Sequence, residues 1–373
     1  MNLVVLDSAR PAVLGGVERS LADLAGRARR LGHDARAVGR AGSRFAAHCA
    51  ALGLPTLELP LRNGLDLASA GRLRALFADH RTDAVLGATT RDARLAGLAR
   101  VGRAGPCVAL LMGLPMIRDS WSHRFTYRWF VDALCSPTPW LLEVSERYPF
   151  ARRLPVAVLP DGVDEALFPP LSGLSTSRAA ARAEAGIPAG RAVFASVGHL
   201  VARKNLLWVP PLLARLPGGL DWEWWVIGDG PQETEVLASL RTLGLVHRVK
   251  MLGHRDDVPR LLLCADALVM PSRAEQLPLA ALEARRAGVP HVLISPVGAV
   301  EEMRSLGMRV LPADDAAAWL AALESAARAP GGCDPPREWR HGADAAASGR
   351  LRFLEELAWL VAGARGAAAG GRA

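Results

Sequence analysis

Short apolar runs alternate with helical stretches along almost the whole of this chain, and that order leaves few folds open. Residues 3–9 (LVVLDSA) form a run of strand type, followed by a loop holding Gly15 and Gly16. The next helix carries Val17, Leu21, Leu24, Ala28 and Leu31 on one stripe and is closed by Gly32. The alternation continues through a helix at 67–78, a strand at 84–88, a helix at 93–101 and a strand at 107–112. A polar helix at 176–185 and a new first strand, VFASVG, open a second series, with strands at 223–227, 249–252, 267–270 and 291–294. Strands joined through helices lie parallel in doubly wound sheets, whose ligands bind beyond the carboxyl ends of the strands. The expected fold class is therefore α/β with two Rossmann-like domains.

With 373 residues, half of them apolar, the chain has material for two such cores. No apolar run reaches membrane-spanning length, and Asp7 interrupts the first one, so the N-terminus does not read as a signal peptide. The expectation is a soluble, cytoplasmic protein. Five scattered cysteines show no zinc spacing and read as core thiols, and the nine histidines form no metal-ligand pair. A formal charge of +8 invites a nucleic-acid reading, but the basic residues are dispersed and no nucleic-acid module is visible. Anionic substrates or a membrane surface suit that charge better. Nearly all of it is arginine; Lys204 and Lys250 are the two lysines.

Residues 271–290 (PSRAEQLPLAALEARRAGVP) concentrate the candidate chemistry. Pro278 suits the first turn of a helix that Gly288 and Pro290 end, which puts Glu275 in the strand-to-helix loop and Glu283 within the helix. The amides of Gln276, Leu277 and Leu279 would then sit at a helix N-terminus, where partial positive charge favours a phosphate. Carboxylates accept hydrogen bonds from hydroxyls. Phosphate and hydroxyls together describe a nucleotide sugar. A plainer reading makes both acids dipole partners on a solvated face.

The same segment resembles the Glu-seven residues-Glu block of the retaining glycosyltransferases of family 4, which have the GT-B fold. The resemblance runs from Asn2 to about Met303. VIGDGPQETEV onward is similar to the preceding family segment, with Gly228, Gly230, Pro231, Gly253 and then Asp266. PDGVD (160–164) resembles the inter-domain turn, and GGVERSLADLAGRARRLGHDA resembles the N-terminal glycine loop and its helix.

The resemblance implies two Rossmann-like domains facing a cleft. Residues 1–165 would bind the acceptor and 166–345 the nucleotide sugar. A helix at 346–362 would pack back on the first domain, with 363–373 a disordered tail. It further implies that Glu283 holds the ribose hydroxyls and that Glu275 faces the transferred sugar. GHLVARKNL (198–206) matches the segment that grips the diphosphate, with Lys204 at the lysine position. His199 stands where the family has arginine, Asn205 where it has glycine, and Arg203 is the candidate replacement cation. Gly15 and Gly16 would let backbone approach a phosphate, or simply form a tight turn. Glu18 suits the first turn of a helix whatever its function.

Residues 110–130 correspond to the acceptor side. Met112 or Gly113 stands where relatives carry a histidine, and Arg118, Asp119, His123, Arg91 and Asp92 are candidate replacements or solvated loop charges. Trp121, Tyr127 and Trp129 stack on sugar rings or belong to the core. By resemblance the enzyme is a hexosyltransferase type that needs no metal, and the leaving phosphate deprotonates the acceptor on the same face. The implied partners are a nucleotide sugar and a glycan, lipid-linked or small-molecule acceptor, with peripheral association to the inner face of a membrane and no nucleic acid. Rival readings are a GT-B epimerase or phosphorylase, and a non-catalytic partner subunit.

Overall fold

The computed structural model describes residues 1–9, 14–102, 105–111, 118–138, 147–159, 161–275, 277–298, 300–336 and 339–370, with side chains to 362. It divides into two compact units, one of Met1–Asp161 with Asp344–Ala373 and one of Gly162–Ala343.

The first unit is built on seven parallel strands: β1 (Asn2–Asp7), β2 (Asp34–Arg40), β3 (Thr56–Leu59), β4 (Ala84–Gly87), β5 (Cys107–Leu111), β6 (Ala133–Ser136) and β7 (Val156–Val158), in the order β3-β2-β1-β4-β5-β6-β7. The second has six: β8 (Ala192–Val197), β9 (Trp222–Ile227), β10 (Val249–Gly253), β11 (Ala267–Met270), β12 (His291–Ile294) and β13 (Arg309–Val310), in the order β10-β9-β8-β11-β12-β13. Counted from its own first strand, each sheet begins 3-2-1-4-5-6, the doubly wound Rossmann order. Each therefore reverses direction once, between β1 and β4 and between β8 and β11. Crevices at these switch points are where such sheets bind ligands.

Both sheets are covered on both faces, which is why their central strands read as unbroken apolar runs rather than alternating ones. Two polar side chains inside tie neighbouring strands together. Ser196 on β8 donates to the Val269 carbonyl at 2.7 Å and accepts from Trp224 Nε1 at 3.1 Å. Asp266, just before β11, is fully buried and accepts from the amides of Val193 (2.8 Å) and Gly331 (2.7 Å) and from Arg182 (2.8 Å). Four of the five cysteines are buried in these cores and Cys333 is half-buried.

The last helix, Ala343–Gly370, returns to the first unit, where Ala347, Leu351, Leu354 and Leu357 join its core at helical spacing. Its buried Arg350 bonds Ser20 Oγ (2.7 Å), the Leu159 carbonyl (3.1 Å) and Asp161, which ties the helix to Gly16–Arg30. The helical backbone runs to Gly370, beyond 362, the end expected from the sequence. In the PDGVD turn, a Cβ on Gly162 would lie 2.6 Å from the backbone of Gly342 and Ala343, so only glycine admits that approach. Pro160 of that turn lies outside the described residues.

Candidate functional site

In the second unit three loops meet at the carboxyl ends of the strands, and glycines let them touch. Gly228, after β9, has φ 138°, and a Cβ there would fall 2.1 Å from the Gly198 carbonyl oxygen. Gly230 has φ 157° and would similarly meet the Leu200 backbone at 2.5 Å. Backbone bonds then lock the loops: Gly198 N to Ile227 O (2.9 Å), Leu200 N to Asp229 O (2.8 Å) and Gly228 N to Gly253 O (2.7 Å).

The loop after β8 forms a 3-10 turn, Ala202–Lys204, ended by Asn205 in the left-handed conformation, φ 55° and ψ 32°. That conformation explains why a glycine is usual there and why asparagine, which tolerates it better than most residues, replaces it. The turn aims Lys204 back across the Gly198 backbone, whose added Cβ would be 3.3 Å from Nζ. Lys204 Nζ reaches Glu275 Oε1 at 2.6 Å, and Arg203 donates to the same oxygen at 2.9 Å. Both Lys204 and Glu275 side chains are nearly buried, whereas Arg203 is half exposed. The Arg203 carbonyl also accepts from Arg273 N at 2.7 Å, which stitches the loop after β8 to the loop after β11. Two adjacent strands flanking the switch point thus supply one carboxylate with two cations.

The helix Leu279–Arg286 begins directly after this cluster. Its N-cap is Pro278, which contributes no side-chain cap, and of its first three amides that of Ala281 donates to the Pro278 carbonyl at 2.8 Å. Glu283 is half-buried within that helix. Leu277 has its side chain in the core, and Gln276 lies outside the described residues. His199 takes a different partner from the lysine: its Nδ1 lies 2.5 Å from the Asp229 carbonyl and 3.3 Å from Asp229 Oδ1. Asp229, invisible as a candidate in the sequence, enters through this pairing.

In the first unit the corresponding switch point lies between β1 and β4. Gly15 caps and Gly16 begins the helix Gly16–Arg30, and neither has a positive φ, so no turn geometry demands glycine. A Cβ on Gly16 would meet open space. Glu18 accepts from Gly15 N at 2.9 Å and so caps its helix, the bland role expected of it. Asp92 is consumed structurally: it accepts from Ser8 N (2.9 Å), Ala88 N (3.0 Å) and Thr89 N (2.7 Å), joining β1 to the helix Thr90–Arg100. Arg91 donates to the Ser8 carbonyl at 3.1 Å.

Asp7, which the sequence reading did not single out, ends β1 and is buried. Burial, then the charges of Asp92 and Glu18, push its carboxyl up to about 8. Its Oδ1 accepts from Ala9 N at 3.2 Å beside the switch point. An acid at the end of a first strand, just ahead of a glycine loop, was the available signal.

The remaining acceptor-side candidates do not gather into one cluster. Asp119 forms a two-point ion pair with Arg124 at 2.7 and 3.0 Å on the surface. His123 accepts from Arg118 N at 3.2 Å and stacks on Tyr127, and burial with the Arg94 and Arg118 charges lowers its pKa. Tyr127 is core, but Trp121 and Trp129 stand exposed, so those three aromatics do not form a common cluster. Met112 and Gly113 lie outside the described residues. No helix among the described residues is long and apolar enough to cross a membrane, and no group of three metal-ligating side chains occurs among them.

Two family models match, one to each half of the chain: Glycosyltransferase Family 4 over residues 14–167 and Glycosyl transferases group 1 over residues 191–328. Over 183 residues the chain is 27% identical to the UDP-Gal:alpha-D-GlcNAc-diphosphoundecaprenol alpha-1,3-galactosyltransferase of Escherichia coli, covering 46% of this chain and 46% of that protein. Over 111 residues it is 34% identical to the lipopolysaccharide core biosynthesis glycosyltransferase LpsE of Rhizobium meliloti, covering 30% and 32%. The match thus spans less than half the length of either relative. Anabaena HepE, solved in complex with UDP, superposes with a TM-score of 0.66 at 18% identity, covering 98% of this chain and all of that one. At that identity the likeness shows the fold, two Rossmann-like domains of GT-B type.

Proposed function

We propose that this chain, which belongs to the family 4 glycosyltransferases of group 1, moves a sugar from a nucleotide-sugar donor to a hydroxyl of a cell-envelope glycan or lipid-linked acceptor, with retention at the anomeric carbon. The observation that carries the proposal is the convergence of Lys204, Arg203 and Glu275 at the β8/β11 switch point, beside a helix start with no side-chain cap. The relative that acts on a diphosphoundecaprenol-linked acceptor and the one named for lipopolysaccharide core biosynthesis support the acceptor class, and the UDP complex of HepE supports a nucleotide donor.

Each residue has a role that its chemistry allows. Lys204 and Arg203, with the first amides of Leu279–Arg286, hold the diphosphate and stabilise the charge that grows on it as the anomeric bond breaks. Because these groups supply the positive charge, the reaction needs no metal ion. Glu275, bound to both cations, orients them and takes the role of facing the transferred sugar. Glu283 accepts from the ribose hydroxyls. The departing phosphate oxygen takes the acceptor proton on the face from which it leaves, so no separate base is required. Gly15 and Gly16 leave room on the first unit for close approach of substrate.

The test is a thermal-shift screen of the full chain against UDP-, GDP- and other nucleotide sugars, followed by transfer assays on envelope-type acceptors. A donor that binds only the folded state raises the melting temperature. The proposal requires one such donor and turnover that depends on acceptor. Turnover without acceptor would make the chain an epimerase, and binding without any turnover would make it a partner subunit.

A further inference from the structure

Three tryptophans stand exposed among the described residues, Trp121 (79%), Trp129 (61%) and Trp359 (76%), and all three belong to two neighbouring grooves of the first unit. The first groove, of about 490 Å³, is lined by Phe125, Trp129 and Arg100, and Trp121 continues it by stacking on Phe125 at 5.8 Å. The second, of about 500 Å³, is lined by Trp359, Ala358, Asp83 and Glu355. The chain leaving the helix Thr90–Arg100 borders both, with Val101 on the first groove and Pro106 on the second. Arg100 joins them by donating to the carbonyls of Trp129 (3.3 Å) and Pro106 (3.2 Å). Single exposed apolar residues are ordinary, but an aromatic run of this kind marks an interaction surface.

The two grooves carry opposite charge. The helix Trp121–Trp129 holds no acid. Its Arg124 is neutralised by Asp119, whereas Arg128 is exposed, lies over the Trp129 ring at 5.6 Å and has no carboxylate partner among the described residues. On the other groove Asp83 is exposed and accepts from the backbone amide of Asn2 at 2.7 Å, and Glu355 has only His33 beside it among the described residues, at 3.5 Å. A basic aromatic patch next to an acidic aromatic patch is complementary to its own copy: a twofold axis between them sets each patch against the opposite one. Tryptophan and arginine are also residue types enriched where proteins join. We propose that this face joins two copies of the chain in a twofold dimer, with the helix Trp121–Trp129 of each against the Trp359 groove of the other and Arg128 of one copy opposite Glu355 of the second.

Sedimentation velocity of the full chain over a concentration series, without substrate, tests this, and its outcome is independent of the transfer reaction. The wild type sediments as a dimer. Trp129→Ser and Trp359→Ser each raise the dimer dissociation constant at least about tenfold, as loss of a central aromatic does. Arg128→Glu and Glu355→Arg each raise it by at least about the same factor, because like charges then face one another. Combining Arg128→Glu with Glu355→Arg restores the pair with its signs exchanged and returns the constant to within about threefold of wild type. The four side chains are exposed, so every variant keeps the wild-type melting temperature, and that measurement separates a lost dimer from a lost fold. The proposal is overturned if the wild type sediments as a monomer throughout, if the tryptophan variants associate as wild type does, or if the charge-exchanged double variant is no tighter than the single ones.

Discussion

Replacing Asp266 by alanine should come close to unfolding the second unit, and the structure gives the size of the effect. The carboxylate is fully buried against Arg182 at 2.8 Å and Arg178 at 3.7 Å, both themselves nearly buried, and it accepts the amides of Val193 and Gly331. Breaking a buried ion pair by removing one partner costs about 3–5 kcal/mol, and each orphaned buried amide adds about 1–3 kcal/mol. Arg178 and Arg182 keep carbonyl partners at Leu262, Ala265, Cys264, Arg191 and Gly332, which softens the loss. A destabilisation of about 5 kcal/mol results, a large part of the roughly 5–15 kcal/mol that holds a typical domain. Urea unfolding followed by tryptophan fluorescence reads the right unit, because six of the ten tryptophans lie between 162 and 343. The exposed Asp256→Ala serves as the control and leaves the midpoint in place. A shift below about 1 kcal/mol for Asp266→Ala would refute the reasoning, because it would mean the buried arginines need no counter-charge.

Two further outcomes follow from the switch points and the glycines. Asp7 has a carboxyl raised to about 8 by burial and neighbouring acids, against about 4 when unfolded, so the folded state holds the extra proton between those values. Its contribution to stability is complete below about pH 4 and is lost as pH rises through about 8; Asp7→Asn removes this dependence, and the melting-temperature difference between variant and wild type should grow in the variant's favour from pH 5 to pH 8. A difference that stays constant with pH would contradict the assignment. Gly228→Ala, at φ 138° with the Gly198 carbonyl 2.1 Å from the new Cβ, should lose about 2–3 kcal/mol, whereas Gly16→Ala, into open space, should leave melting unchanged and weaken only substrate binding.

The central strands were legible because each is buried on both faces and so reads as an unbroken apolar run; β11 and β12 were placed to the residue. Of the strands absent from the sequence reading, β6 (ALCS) is buried throughout but only four residues long, and the others fail that rule. β2 (DARAVGR) carries two arginines on its half-exposed positions, β3 lies at the edge, and β7 and β13 are three and two residues long. The candidates were legible where residues lie close in sequence, Glu275 near Glu283 and Lys204 beside Arg203, and the structure joins Lys204, Arg203 and Glu275 in one cluster. The direct bonding of both cations to Glu275 depends on β8 and β11 being neighbours, which no local pattern encodes. Asp229 and Asp7 were missed for the same reason, since their significance arises from partners 30 and 85 positions away, His199 and Asp92. Trp121 and Trp129 have the helical spacing of core residues, and only the packing reveals that their stripe faces solvent.

The central claim is a division of labour in which Lys204 serves the diphosphate and Glu275 the sugar. Calorimetric titration of UDP and of GDP into wild type, Lys204→Ala and Glu275→Gln separates the two directly. A nucleoside diphosphate should bind the wild type. Lys204→Ala should weaken that binding at least about tenfold, the worth of one charge-assisted contact. Glu275→Gln, which frees both cations, should bind it at least as tightly as wild type while losing sugar transfer. Equal affinity in wild type and Lys204→Ala, or a loss in Glu275→Gln as large as that in Lys204→Ala, would contradict the account.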